Sequence, residues 1–105
     1  MARWISTPED LNGDAHLREW HVMLTHAGTR HYVGKCARTG YYRVSPPLVS
    51  FDARSKIGRT EDGYSFILGG YAGKEEGIWM LFWLVAMWKN KVSGAKDITG
   101  EYLMR

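Results

Sequence analysis

The sequence predicts an α+β domain, an antiparallel, curled sheet of about four to six strands packed on one strongly apolar C-terminal helix. Three observations predict it. Short segments of period-two alternation, such as Trp20, Val22 and Leu24 and then residues 64–68, are punctuated by Gly- and Asp-containing turns across residues 17–70. One continuous apolar run follows at residues 78–88. The chain of 105 residues is the size of one domain, which divides into an N-terminal cap (1–16), the sheet (17–70), the helix (75–92) and a tail (93–105).

The elements follow in order. Ser6-Thr7-Pro8-Glu9-Asp10 reads as a helix start, with a hydroxyl cap, proline in the first turn and carboxylates after it; Asn12-Gly13 stops it after one turn. Residues 17–26 and 31–37 form a hairpin around Ala27-Gly28-Thr29-Arg30. With Gly28 and Thr29 as the loop, Leu24 would face Val33, Val22 would face Lys35, and Trp20, Val22, Leu24 and Val33 would share one buried face. Pro46-Pro47 keeps residues 38–47 from forming a central strand, although residues 41–44 can pair at an edge. Residues 48–51, 56–60 and 64–68 then make a three-stranded meander around Asp52-Ala53-Arg54-Ser55 and Glu61-Asp62-Gly63.

After the Gly-rich exit at residues 69–73, Glu75 and Glu76 begin a helix where its dipole favours acids, Lys89 and Lys91 lie at its end, and Ser93-Gly94 stops it. Ile98, Tyr102 and Leu103 give the tail enough apolar character for a last strand or an irregular cover. The eleven-residue apolar run is about half of what a membrane span needs, so it reads as a buried helix, with an interfacial helix as the alternative. It has hardly any polar face. Ile78, Leu81, Phe82, Val85 and Trp88 line one side, and Trp79, Met80, Trp83, Leu84 and Met87 fill the rest. Either the sheet wraps it, or a stripe of Trp79, Trp83 and Met87 docks on a partner or on a second copy as a homodimer.

The chemistry classes narrow quickly. Cys36 is the single cysteine, so no intramolecular disulfide forms and a reducing, cytoplasmic setting fits; the N-terminus lacks the apolar core of a signal peptide. His16, His21, His26 and His31 recur every five residues, a spacing that alternates faces on a strand and builds no metal site by itself. The expected hairpin sets His26 beside His31 and His21 beside Cys36; the latter pair fills the roles of nucleophile and base on paper, but no orienting carboxylate is placed nearby. Gly69-Gly70 with Gly73 lacks the spacing of a phosphate loop. The reading is therefore a non-enzymatic chain without metal or cofactor.

Charge placement points to binding. Between residues 30 and 59 the bases Arg30, Lys35, Arg38, Arg43, Arg54, Lys56 and Arg59 face Asp52 alone, and Tyr41 and Tyr42 are interleaved with them. Alternating cations and aromatic rings neutralise phosphates and stack bases, or meet an acidic protein surface. Arg38, Tyr41, Tyr42, Arg43, Arg54, Lys56 and Arg59 are the candidate binding residues.

Arg43-Val44-Ser45-Pro46-Pro47-Leu48-Val49-Ser50-Phe51-Asp52, followed by residues 59–70, resembles a pattern in small proteins of bacteriophages and mobile elements. There an apolar strand ending in Asp precedes a Thr-x-x-Gly-x-x-Tyr-type hairpin, a Gly-rich exit and a Trp-containing helix; the likeness spans residues 43–103. It implies a phage-borne accessory protein, of the kind that includes anti-CRISPR inhibitors, whose partner is a bacterial defence complex in the host cytoplasm. The alternatives are a direct nucleic-acid-binding module and a structural homo-oligomer.

Overall fold

The computed structural model describes residues 14–61, 63–73 and 77–103, so the cap expected at residues 6–10 and the acidic helix start at Glu75-Glu76 lie outside the described residues. Among these residues the elements are β1 (Asp14–Thr25), β2 (Arg30–Cys36), β3 (Tyr42–Val44), β4 (Leu48–Asp52), β5 (Ile57–Thr60), β6 (Ser65–Leu68), α1 (Trp79–Lys89), β7 (Ala95–Asp97) and α2 (Thr99–Leu103). The class is α+β. The sheet has seven strands in the order β3-β2-β1-β6-β5-β4, with β7 also paired to β1.

β1 is the spine. β2 runs antiparallel along one of its edges, while the other edge is shared: residues 14–17 pair with β6, and residues 23–25 pair antiparallel with β7. The β1–β6 pairing is parallel, which corrects the all-antiparallel expectation. Local alternation reveals a strand but not its neighbour, and here Ser45-Pro46-Pro47 carries the chain off the β3 end so that the β4–β5–β6 meander joins β1 from the far side. Ser45 anchors that departure: its N–H donates to the Tyr32 carbonyl (2.8 Å) and its hydroxyl accepts from the Tyr32 N–H (2.9 Å), after which the prolines have no donor to extend the ladder.

The hairpin register also differs from the expected one. Thr25 N–H donates to the Thr29 carbonyl (3.0 Å) and Gly28 takes φ 92°, so four residues form the loop and Leu24 faces Arg30, Val22 faces Tyr32 and His21 faces Val33. A bulge at Glu19 (φ 48°) then shifts the register between Arg18 and His21. Val33 consequently lies on the face opposite Val22.

Both faces of this hairpin are covered. On the inner face Leu17, Trp20, Val22, Tyr32, Leu48, Phe66, Leu68, Ile98 and Tyr102 form one core. On the outer face Met23, Val33 and Val44 pack under Trp79, Trp83 and Ala86 of α1. The β4–β5 end lies over the inner face of β2: a Cβ on Gly58 would come within 2.8 Å of Tyr32 Cε2 and of Leu48 Cδ1, so this close approach requires glycine. β3 and β4 do not pair, and the sheet stays open.

α1 is shorter than the 75–92 span expected. It ends at Asn90 and Lys91 rather than at Ser93-Gly94: Lys91 adopts φ 57°, its N–H donates to the Trp88 carbonyl (3.3 Å) and the Val92 N–H donates to the Met87 carbonyl (2.8 Å), a Schellman arrangement with lysine where glycine is usual. The tail supplies both β7 and α2, with the Asp97 carboxylate accepting from the Thr99 N–H (2.8 Å) and from its hydroxyl. No helix among the described residues is long and apolar enough to cross a membrane.

Candidate binding surfaces

The seven sequence-selected binding residues fall into two groups at opposite ends of the sheet order. Arg38, Tyr41, Tyr42 and Arg43 belong to β3 and the turn before it, whereas Arg54, Lys56 and Arg59 belong to β5 and the turn that precedes it.

At the β3 end the turn is built by backbone hydrogen bonds. Gly40, at φ 80°, donates to the Cys36 carbonyl (2.7 Å), and the Cys36 N–H donates to the Tyr41 carbonyl (2.7 Å). This holds Tyr41 outward, 67% exposed. The Arg43 guanidinium lies 5.7 Å from the centre of that ring, and its Nη1 donates to the Tyr42 carbonyl (3.1 Å). Arg43 is itself buried, so it backs the Tyr41 ring rather than facing solvent. Tyr42 stacks on Phe82 of α1 (5.1 Å between centroids, 16° between planes), and Lys35 Nζ sits 5.8 Å from the Tyr42 centroid and 3.9 Å from Glu19 Oε2. Lys35 thus joins Arg38 and Arg43 in a cationic-aromatic end that β2–β3 pairing assembles.

At the other end the exposed Asp52 accepts from the Arg54 N–H through its carboxylate (2.9 Å) and from the Lys56 N–H through its carbonyl (2.7 Å). The Arg54 backbone hydrogen bond, ahead of smaller contributions from Ser55 and the Arg54 charge, holds the Asp52 carboxyl below its ordinary pKa. Lys56 takes φ 61° to close the turn. Arg30 crosses from β2 to lie 4.3 Å over the half-exposed Phe51 ring, a contact between sequence-distant residues that no local pattern announces.

The helix stripe is the opposite of the one expected. Trp79 and Trp83, 5% and 3% exposed, face the sheet and Met87 is half-buried at the flank. The uncovered face is Leu81 (61%), Leu84 (53%), Val85 (43%) and Trp88 (79%), flanked by Ile78 and Met80.

The histidines are used inside. His31 is fully buried and pushed down to about 4 from 6.5, by burial acting against its backbone hydrogen bond to Ser45. A neutral ring beside a carbonyl fixes the tautomer: Nδ1–H donates to the Ser45 carbonyl (2.8 Å), Nε2 accepts from the Thr29 hydroxyl (2.8 Å), and Thr29 Oγ1 accepts from the Thr25 hydroxyl (2.7 Å). The unfolded chain takes up a proton below pH 6.5 that the folded state refuses down to about pH 4. Stability is therefore expected to fall as pH drops through this window, by up to about 3 kcal/mol. Denaturant unfolding at pH 7 and near pH 4 checks this, with His31→Asn losing less stability over the same interval than the parent chain.

His21, also buried, stacks on Trp79 (3.7 Å between centroids, 16°) with Nδ1 3.4 Å from Asp97 Oδ2. The expected pairings of His21 with Cys36 and His26 with His31 do not form, because the register sets His21 opposite Val33, His31 opposite Met23 and Cys36 opposite Leu17. Burial raises the Cys36 thiol, but hydrogen bonds from the Thr39 hydroxyl and the Thr39 and Arg38 backbone, with the Arg43 charge, outweigh it and leave the thiol below its ordinary pKa. Among the described residues no group of three or more His, Cys, Asp or Glu is placed to hold a metal ion.

Fold and surface together define an α+β domain on an open, mixed sheet with a cationic-aromatic end and an uncovered apolar helix face. Comparison with known protein families, with characterised proteins and with solved structures finds no match to this chain.

Proposed function

We propose that the chain is a small non-enzymatic binding protein, a phage-borne inhibitor that occupies an acidic or nucleic-acid-binding surface of a bacterial defence complex in the host cytoplasm. The contact surface is the β3 end of the sheet. The observation that carries this reading is the arrangement there: an outward Tyr41 ring beside Arg43, and Tyr42 held between Lys35 and Phe82 with Arg38 in the adjoining turn. Tyrosine and arginine supply large contact area at low entropic cost and dominate binding hot spots. The assignment to phage defence systems rests on the resemblance of residues 43–103.

Tagged protein recovered from a bacterial lysate expressing defence complexes, with and without nuclease, tests this. Stoichiometric recovery of one complex that survives nuclease is the expected result. The exposed Tyr41 ring backed by Arg43 also favours a second reading, direct binding of single-stranded nucleic acid. That reading predicts nuclease-sensitive, heterogeneous recovery and an oligonucleotide affinity that falls steeply with salt.

A further inference from the structure

Beyond the surface used for that function, we infer that the outer face of α1 is the interface of a symmetric homodimer, two copies packing this helix antiparallel about a two-fold axis. Leu81, Leu84, Val85 and Trp88 follow i, i+3, i+4, i+7 spacing, and Ile78, Leu81, Val85 and Trp88 alone follow the 3-4-3 spacing by which two helices interlock side chains. At the exposures given above, these residues with Met80 leave on the order of 600 Å² of apolar surface, at the top of what a monomer leaves uncovered and close to the ~800 Å² each partner gives to a stable interface.

The chemistry of the face selects the occupant. Apart from Lys89 at its C-terminal border it carries no charged side chain, so a charged partner finds little on it to pair with, and what fits is an apolar helix of the same spacing and length. A second copy presents one in a self-complementary way. Lys89 and Lys91 at the C-terminal end set the direction. Parallel packing would bring both pairs of lysines together, whereas antiparallel packing separates the two Lys89 by nine residues of helical rise, roughly 13 Å. In that arrangement Trp88 covers Leu81 of the second copy and Leu84 and Val85 meet across the axis. The β3 end remains available, because it touches α1 through Phe82, on the flank of the seam.

Light scattering and sedimentation from micromolar to millimolar protein test the inference. The expected result is a mass of twice 12.0 kDa that returns to 12.0 kDa in Leu84→Glu, with unchanged far-UV circular dichroism and thermal midpoint at low concentration. Tyr41→Glu should remain dimeric. Oxidation of Val85→Cys should yield a disulfide-linked dimer, since the native Cys36 is buried. A parent chain that stays at 12.0 kDa at millimolar concentration, or a Leu84→Glu variant that stays dimeric, overturns the inference. The functional proposal fails separately, through loss of partner capture, which the monomeric variant can report on its own.

Discussion

Trp79→Ala is expected to destabilise the fold by about 3–5 kcal/mol, the range for truncating a buried aromatic side chain. Trp79 is the anchor of α1. It stacks on His21 and shares a core with Met23, Val33, Val44, Trp83 and Ala86, so truncation opens a cavity on the outer face of the hairpin and uncovers a buried imidazole. Trp88→Ala removes the same number of atoms from the same helix, yet it should change stability by no more than about 0.5 kcal/mol when the chain is dilute enough to be monomeric, because its ring is already in water. Denaturant unfolding monitored by circular dichroism measures both midpoints. Equal losses in the two variants would contradict the assignment of inner and outer helix faces.

The inner core should respond as strongly at Trp20. This ring is 1% exposed and packs edge-on against Tyr102 (6.4 Å), which in turn meets Tyr32 edge-on (5.8 Å) and accepts a long hydrogen bond from its hydroxyl (3.4 Å). Trp20→Ala breaks an aromatic chain that ties β1, β2 and α2 together, with an expected loss of about 3–5 kcal/mol. Trp20→Phe should cost far less, about 1 kcal/mol, since it keeps most of the packing and removes an indole N–H that has no hydrogen-bond partner among the described residues. Chemical denaturation of both variants distinguishes the two contributions. A Trp20→Phe loss as large as that of Trp20→Ala would mean that the indole nitrogen, not the ring volume, stabilises this core.

Much of this architecture is legible in the sequence because its signals are local. The alternation at Trp20, Val22 and Leu24, the Asp52-first turn and the apolar run at residues 78–88 each report a strand, a turn or a helix directly. What stayed hidden depends on distant residues. The left-handed conformation of Glu19, a residue with nothing glycine-like about it, and a loop around Gly28 that is two residues longer than the tightest hairpin move the register and send Val33 to the other face. Parallel pairing of β6 with β1 is a matter of where the meander lands, which Ser45-Pro46-Pro47 permits without specifying.

The helix face was undetermined for a simpler reason. A helix that is apolar at every position but Lys89 has no polar stripe to say which side meets water, so only its packing partners, Met23, Val33 and Val44, decide it. The basic residues between 30 and 59 look like one site because they are neighbours in the chain. The sheet order divides them, grouping Lys35 with Arg38 and Arg43 and sending Arg54, Lys56 and Arg59 to the opposite end.

The proposed contact surface is the β3 end, and the most direct measurement is the affinity of any defence complex recovered with the tagged chain for paired variants at the two ends of the sheet. Arg38, Tyr41 and Arg54 are all exposed, so their substitution leaves the fold intact. Arg38→Glu and Tyr41→Ala should each weaken binding about tenfold or more, a loss of at least ~1.4 kcal/mol, while Arg54→Glu should leave it nearly unchanged. Undiminished binding by the first two variants, with the loss appearing at Arg54, would contradict it.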